Sequence, residues 1–405
     1  QDVLDWKAIR GTSYIYTSTN NSSTITDAQA AAFEAQGFEI AAHITTNCGN
    51  WTSPTNLDNN YYIPQLAEFG VKWPSVPVPS TNRTHCIAWS DWATQPKVEA
   101  AKGIRLDCNY YYWPASWVLD RPGMFTGSGM PMRFADLDGT LIDCYQVTTQ
   151  MTDESGINYA NHISSLLDKA IGPEGYYGVF CANMHTDVNG GTSTAGSDAI
   201  ISAAQLRQLP VISARQMLTW LDGRNSSFFG AISWSGNDLS FTVSVATGAH
   251  QLQGMVPVTA AVGQLTGITR NGSPVSYTTE VIKGINYAFF DAAAGNYVAT
   301  YLVDNTGPVI TNITATPHMD GTATITWTTN EAADSKVDYS SNSSNLNLNS
   351  TSGALVTSHS ILLTGLSSGV TYYFRVTSAD ASSNSTTEPV SPATLSFCMP
   401  SGPCA

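Results

Sequence analysis

The hydrophobic pattern divides the chain into two kinds of sequence. Up to about residue 222, Ala- and Leu-rich segments with helical spacing of apolar positions alternate with short, continuous apolar runs. DAQAAAFEAQG (27–37) predicts a helix stopped by Gly37, and FEIAAHI (38–44) predicts a buried strand that delivers His43 at its C-terminal end. YIPQLAEFG, PKVEAAKG, ANHISSLLDKAIG, SDAIISAAQLRQL and ARQMLTWLDG predict further helices, with IRLDCNYYY, YYGVFCANMH and PVIS as strands between them. Such alternation predicts parallel strands covered by helices, a barrel or an open sheet, with chemistry at the C-terminal strand ends. His43, Asp107 and His185 fall at that edge.

Beyond Gly223 the period changes from helical to alternating. AISWSG, LSFTVSVA, MVPVTAAV, VSYTTEVI, YAFFDA and YVATYLV, separated by Gly, Asn and Asp turns, predict an all-β sandwich over 226–304. It reads either as a carbohydrate-binding module or as a plain structural sandwich. DNTGP (304–308) is a linker. Residues 306–397 resemble a fibronectin type III domain: ATITWTT turns Trp327 inward, SKVDYS supplies a third strand, and LLTGLSSGVTYYFRVTSAD carries an L-x-G-L turn before Thr371, Tyr372 and Phe374. The resemblance implies that the Tyr ties a corner between two sheets. A tail, 398–405, holds Cys398 and Cys404, which could close a small loop and would leave five cysteines upstream. The expected fold class is therefore multidomain, an N-terminal α/β domain over 1–222 followed by two β-sandwiches.

Composition narrows the partners. The net charge is −14 and only 12% of residues are charged, which argues against nucleic acid and anionic membranes. No apolar run is long enough to span a bilayer. Ten N-x-S/T sequons, at Asn20, Asn21, Asn50, Asn82, Asn225, Asn271, Asn312, Asn342, Asn349 and Asn384, fit an exported glycoprotein, extracellular or at the cell surface. Glycan is expected at Asn342, Asn349, Asn312, Asn384 and Asn225.

One stretch, 81–114, interleaves Arg83, His85, Asp91, Arg105 and Asp107 with Trp89, Trp92, Tyr110, Tyr111, Tyr112 and Trp113. Aromatic faces beside hydrogen-bonding groups are what a sugar-binding cleft requires, and an aromatic-rich strand followed by a loop is the alternative. Trp89, Trp92, Arg105, Tyr111, Trp113 and Asp187 are the candidate substrate contacts. In 121–150, FADLDG and LIDCYQ predict two short strands joined by an Asp-Gly turn; the Asp136/Asp138 pair is too short a fragment for a calcium loop.

The run GFEIAAH followed by ITTN, then NRTH ahead of a helix and a GIRLD strand, then GVFCANMHTD before a closing strand and helix, resembles the polysaccharide deacetylase family. This is the NodB homology domain, carbohydrate esterase family 4, and the likeness covers about residues 1–222. It implies a deformed β/α barrel and hydrolysis of acetyl groups on a surface or extracellular polysaccharide. It also implies a divalent metal, usually zinc, held by one Asp and two His. His43 matches the first His, Asn47 stands at the second, and His85 is an imidazole able to substitute. Arg83 matches the family's Arg, Asp107 its next carboxylate, and His185 its late general acid. The family's initial Asp-Asp pair, which supplies catalytic base and metal ligand, has no counterpart in the chain, and Gln1 is expected to start too late for that strand. The departures imply zinc or another divalent metal bound weakly or not at all.

Two functions follow. One is a metal-dependent polysaccharide deacetylase whose partner is a polysaccharide or cell-surface glycan. The other is a non-catalytic structural, adhesive or filament-forming surface protein, self-associating or binding another extracellular protein, with the degenerate domain as scaffold.

Overall fold

The computed structural model describes residues 8–17, 25–109, 128–153, 159–172, 178–186, 192–261, 263–302 and 304–401. The chain divides into two compact units, 1–227 with 245–250, and 228–244 with 251–405.

In the first unit, β1 (Thr12–Ile15) pairs in parallel with β2 (Glu39–Ala42), all four residues of which are buried. Between them α1 (Asp27–Ala35) starts on a reciprocal capping box of Thr26 and Gln29. After α2 (Ile63–Lys72), β3 (Thr81–Asn82) and β4 (Leu106–Asp107) pair in parallel around α3 (Thr94–Ala101). β4 pairs in parallel with β6 (Leu141–Gln146), which forms a hairpin with β5 (Met132–Ala135). The Asp-Gly turn is present: Gly139 has φ 85° and the Asp136 N–H donates to Thr140 O at 2.8 Å. Then follow β7 (Thr149–Thr152), α4 (Tyr159–Ile171), β8 (Cys181–Asn183) parallel to β7, α5 (Thr192–Leu206) and α6 (Ala214–Asn225).

Among the described residues the strands do not close into a barrel; they fall into three sheets, β1–β2, β3–β4–β6–β5 and β7–β8. The PVIS segment is not a strand, although Arg10 N–H donates to Val211 O at 2.9 Å beside β1. A strand precedes β2 in the chain, since β1 lies beside it in parallel register. The long strands read at 104–112 and 176–185 shrink to β4 and β8 within the described residues.

Buried carboxylates tie this unit together. Glu39 on β2 accepts from Thr12 (2.6 Å), Thr81 (2.7 Å) and the Arg215 N–H (2.7 Å), which joins β1, β3 and α6 at one side chain. Burial raises its pKa, against the pull of Arg215 and those donors.

The second unit is all β. β9 (Phe228–Ser235), β10 (Asp238–Ser244), β12 (Thr259–Ala260), β13 (Gly263–Arg270), β14 (Ser273–Val275) and β17 (Gly295–Leu302) make one sheet. β11 (Gln253–Pro257), β15 (Tyr277–Ile282) and β16 (Ile285–Asp291) make another. Phe241, Phe290, Tyr297 and Tyr301 lead their shared core.

A separate core, with Trp327, Val337, Phe374 and Phe397, holds β18 (Ile310–Pro317), β19 (Ala323–Ser340), β20 (Leu348–Leu363), β21 (Thr371–Ala379), β22 (Ser385–Glu388) and β23 (Leu395–Cys398). The 18-residue β19 and 16-residue β20 each serve twice. The first part of β19 pairs with β18 and the end of β20, and its last part with β21 and the start of β20. Trp327 points inward as expected, 1% exposed, stacked on His359 at 4.8 Å and donating to Ser378 at 2.9 Å. The tyrosine corner forms as well, the Tyr372 hydroxyl accepting from Ser367 N–H at 3.1 Å.

Candidate functional site

The strand exits of the first unit converge. His43 N–H donates to Ile15 O (2.8 Å), so β2 releases His43 next to Tyr16 at the end of β1; His85 N–H donates to Ile44 O (2.8 Å), setting His85 on the far side. The three rings sit edge to face: Tyr16–His43 4.7 Å, Tyr16–His85 5.3 Å and His43–His85 5.5 Å between centroids. His43 Nδ1 lies 2.6 Å from Arg83 O. A carbonyl only accepts, so Nδ1 carries the proton and in the neutral ring Nε2 carries the lone pair. Burial lowers the His43 pKa from 6.5 to about 4, with the nearby His85, Arg83 and His185 adding to the shift and the Arg83 carbonyl opposing it.

Two features surround this convergence. The Tyr16 hydroxyl is hydrogen-bonded to His85 Nδ1, at the place where a strand-end carboxylate would stand. Cys48 and Cys86 form a disulfide that fastens the loop after β2 to the one carrying His85. Asn47, expected to replace the second His, is exposed in a turn beside that bridge at φ 53°, a conformation that suits Asn and would strain most residues. Among the described residues, no cluster of three His, Cys, Asp or Glu side chains includes His43, and the one around His85 consists of it and the two bridged sulfurs. His43 and His85 thus lie side by side, with 5.5 Å between their ring centroids.

Asp107 does not pair with Arg83. It is fully buried, accepting from Asn109 N–H (2.8 Å), Asn109 Nδ2 (2.5 Å) and Gln95 Nε2 (3.1 Å), and it shares a hydrogen bond with Glu99. Glu99, on α3, accepts in turn from Tyr62 (2.7 Å), Asn82 (2.7 Å) and Gln95 (3.1 Å). Burial raises both pKa values, and the repulsion between the two carboxylates raises Glu99 furthest, so the pair holds a proton above the ordinary carboxylate range. Arg83, 8% exposed, donates from Nη1 to Cys108 O at 3.2 Å. The physical reason for the correction is helix α3, which covers the side of β4 where Asp107 emerges.

His185 leaves β8 half-exposed and is held by Asp153, in the acidic stretch that follows β7. Its Nδ1 is 2.8 Å from Asp153 Oδ1, its backbone N–H donates to Asp153 Oδ2 at 2.7 Å, and the Ser193 hydroxyl also donates to Oδ2. Burial works to raise the Asp153 pKa, but these donors outweigh it and hold the carboxyl below its ordinary value. The pair can orient an imidazole for proton transfer. Ser193 faces the carboxylate rather than the ring, so it is no nucleophile activated by His185.

The expected substrate contacts scatter. Arg105 precedes β4, at the inlet end of the strand, where Asp143 (2.8 Å) and Asp222 (2.5 Å) occupy its guanidinium; it is structural. Trp89 stacks on Phe134 at 5.6 Å, and the 62% exposed Trp92 donates to Ala135 O at 2.9 Å. Both brace the β5 side. Tyr111, Trp113 and Asp187 lie outside the described residues.

Of the expected glycan acceptors, Asn342 and Asn349 are exposed. Asn312, Asn384 and Asn225 each spend the amide nitrogen that a glycan would need, on Thr328 (3.0 Å), on Asp304 O (2.7 Å) with Asp380, and on Tyr145 respectively.

Comparison with known proteins bears on the C-terminal part. The profile described as "Purple acid Phosphatase, N-terminal domain" matches residues 308–394. No curated protein matches the chain. Among solved structures, the chain is similar to the FN5 domain of Drosophila Lar, with 16% identity over 24% of this chain and 100% of that one, at a TM-score of 0.19. It is also similar to the FN1-FN3 domains of chicken CNTN1, with 11% identity over 43% and 65% of the two chains, at a TM-score of 0.21. A cytokine receptor complex gives 14% identity over 42% and 95%, at 0.18.

Proposed function

We propose that the protein is a non-catalytic structural or adhesive component of the cell exterior, in which the α/β unit is a scaffold and the β-sandwiches present it or meet other proteins. The observation that carries this reading is Tyr16: the strand end that needs a carboxylate offers a phenol already bonded to His85. Arg83, His85 and His185 around His43 disfavour added positive charge there. The Cys48–Cys86 bridge and the fibronectin-like sandwich support an oxidising, extracellular setting. No helix among the described residues is long and apolar enough to cross a membrane.

A second reading, hydrolysis of acetyl groups on a polysaccharide, is favoured by the His185–Asp153 pair, which is built as an oriented proton donor. Acetate release from acetylated chitooligosaccharides and acetylated xylan, with zinc supplied, separates the two. The scaffold reading expects no release above the protein-free rate while protease shaving removes the chain from intact cells. Release that disappears in a His185→Ala variant would reverse the choice.

A further inference from the structure

Outside the histidine cluster, two thiols lie side by side at the junction of two sheets. Cys108 follows β4 and is 4% exposed; Cys181 opens β8 and is only partly buried. Thr149 on β7 spans them, donating to Cys108 O at 2.9 Å with its hydroxyl 3.7 Å from Cys181 Sγ. The two thiols are hydrogen-bonded to each other, and the Tyr14 hydroxyl is 3.6 Å from Cys108 Sγ. Arg83, which donates to Cys108 O, places its positive charge near Cys181.

We infer that Cys108 and Cys181 are a redox pair that closes to a second disulfide, joining the strand that carries Asp107 to the strand that delivers His185. The same oxidising conditions that close Cys48–Cys86 close this pair. The chemistry divides between the two sulfurs. The hydrogen bond from Cys108 lowers the Cys181 pKa from 9.0 to about 7, helped by Thr149 and Arg83 against burial. That same bond, followed by burial, raises Cys108 well above its ordinary value. Cys181 is thus the attacking thiolate, on the less buried of the two residues. It attacks one sulfur of a small-molecule disulfide, the S–S bond breaks, and a thiolate leaves. Cys108 then gives up its proton and attacks the Cys181 sulfur, expelling the second thiolate. Two protein thiols lose two electrons and two protons, and the small disulfide becomes two thiols.

This pairing also accounts for an odd cysteine upstream of the tail. Cys144, fully buried with its thiol 3.6 Å from Glu99 Oε2, is the one left reduced.

Trypsin sites put Cys108, Cys144 and Cys181 on separate peptides, 106–133, 134–169 and 170–207. The full chain, incubated with oxidised glutathione, unfolded without reductant and alkylated with iodoacetamide, should yield 106–133 linked to 170–207, with label on Cys144. Reduction before alkylation should transfer label to both linked peptides. In a Cys181→Ala variant Cys108 should take the label while the Cys48–Cys86 link persists. Alkylated Cys108 and Cys181 in the oxidised wild type, stable glutathione adducts without the cross-link, or a Cys108–Cys144 link would each overturn the inference.

Discussion

The hydroxyl of Tyr16, at the exit of β1, is hydrogen-bonded to Nδ1 of His85, two residues brought together from 69 positions apart. Replacing the phenol by a carboxylate is the most informative change to this cluster. Tyr16→Asp places an anion beside His43 and His85, so zinc affinity should rise about tenfold or more over the wild type, each factor of ten being about 1.4 kcal/mol. Competition with a chromophoric chelator measures it, and equal affinity of the two proteins would show that the missing charge is not what limits binding.

His43 should make stability depend on mild acid. Its folded pKa is depressed from 6.5 to about 4, so the unfolded chain binds a proton in that window and the folded chain does not. Stability supplied by the neutral ring is present above pH 6.5 and is lost as the pH falls towards 4, by at most about 3 kcal/mol. A His43→Asn variant should lose that slope in urea midpoints taken across the window.

The Glu99–Asp107 pair works in the opposite direction. Both folded pKa values lie above the ordinary 4.5 and 3.8, so the pair's contribution is present below those values and is lost as pH rises towards the raised ones. Glu99→Gln copies the protonated acid, with a carbonyl to accept and an amide to donate to Asp107. Hydrogen exchange of residues 94–109 should therefore be less accelerated at alkaline pH in the variant. Equal acceleration would mean that the pair does not share a proton.

Residues 306–397 are proposed to fold alone, because their core, from Ile310 to Met399, is made within that stretch and the residues just after it. A 306–401 fragment should unfold cooperatively, and Trp327→Ala should cost about 3–5 kcal/mol through the cavity it leaves. Absence of a cooperative transition would move the boundary.

Glycan occupancy should follow exposure. Asn342 and Asn349 are expected to be modified in a glycosylating host, and Asn82 bare, since it is fully buried with its amide nitrogen donated to Glu99, Tyr62 and Thr84. Burial rather than a working cleft now explains a bare Asn82, so its state no longer separates enzyme from scaffold. Glycopeptide mapping reads all three sites.

What the sequence made legible was local. The helix stop at Gly37, the apolar run of β2, the Asp138-Gly139 turn and the inward Trp327 each have a signature within a few residues. His43 could be placed by the strand signal ahead of it, and His85 only as an imidazole able to stand in for the second His that the resemblance implies. The roles of Tyr16, Glu99 and Asp153 were hidden, because each depends on a partner 69, 8 or 32 positions away and none breaks a local pattern. Glu99 in PKVEAAKG reads as an ordinary helix-surface charge, and only the fold shows that its face of α3 is buried. Arg105 misled for the same reason: its type suits a sugar cleft, but its position before β4 puts it at the wrong end of the strand.

The zinc content of the full chain, after saturation with zinc and extensive dialysis, tests the scaffold reading most directly. Well under one zinc per chain is expected, unchanged in a His43→Ala variant. One zinc per chain, lost in that variant, would mean that the histidine cluster holds a metal without a strand-end carboxylate and that the scaffold reading is wrong.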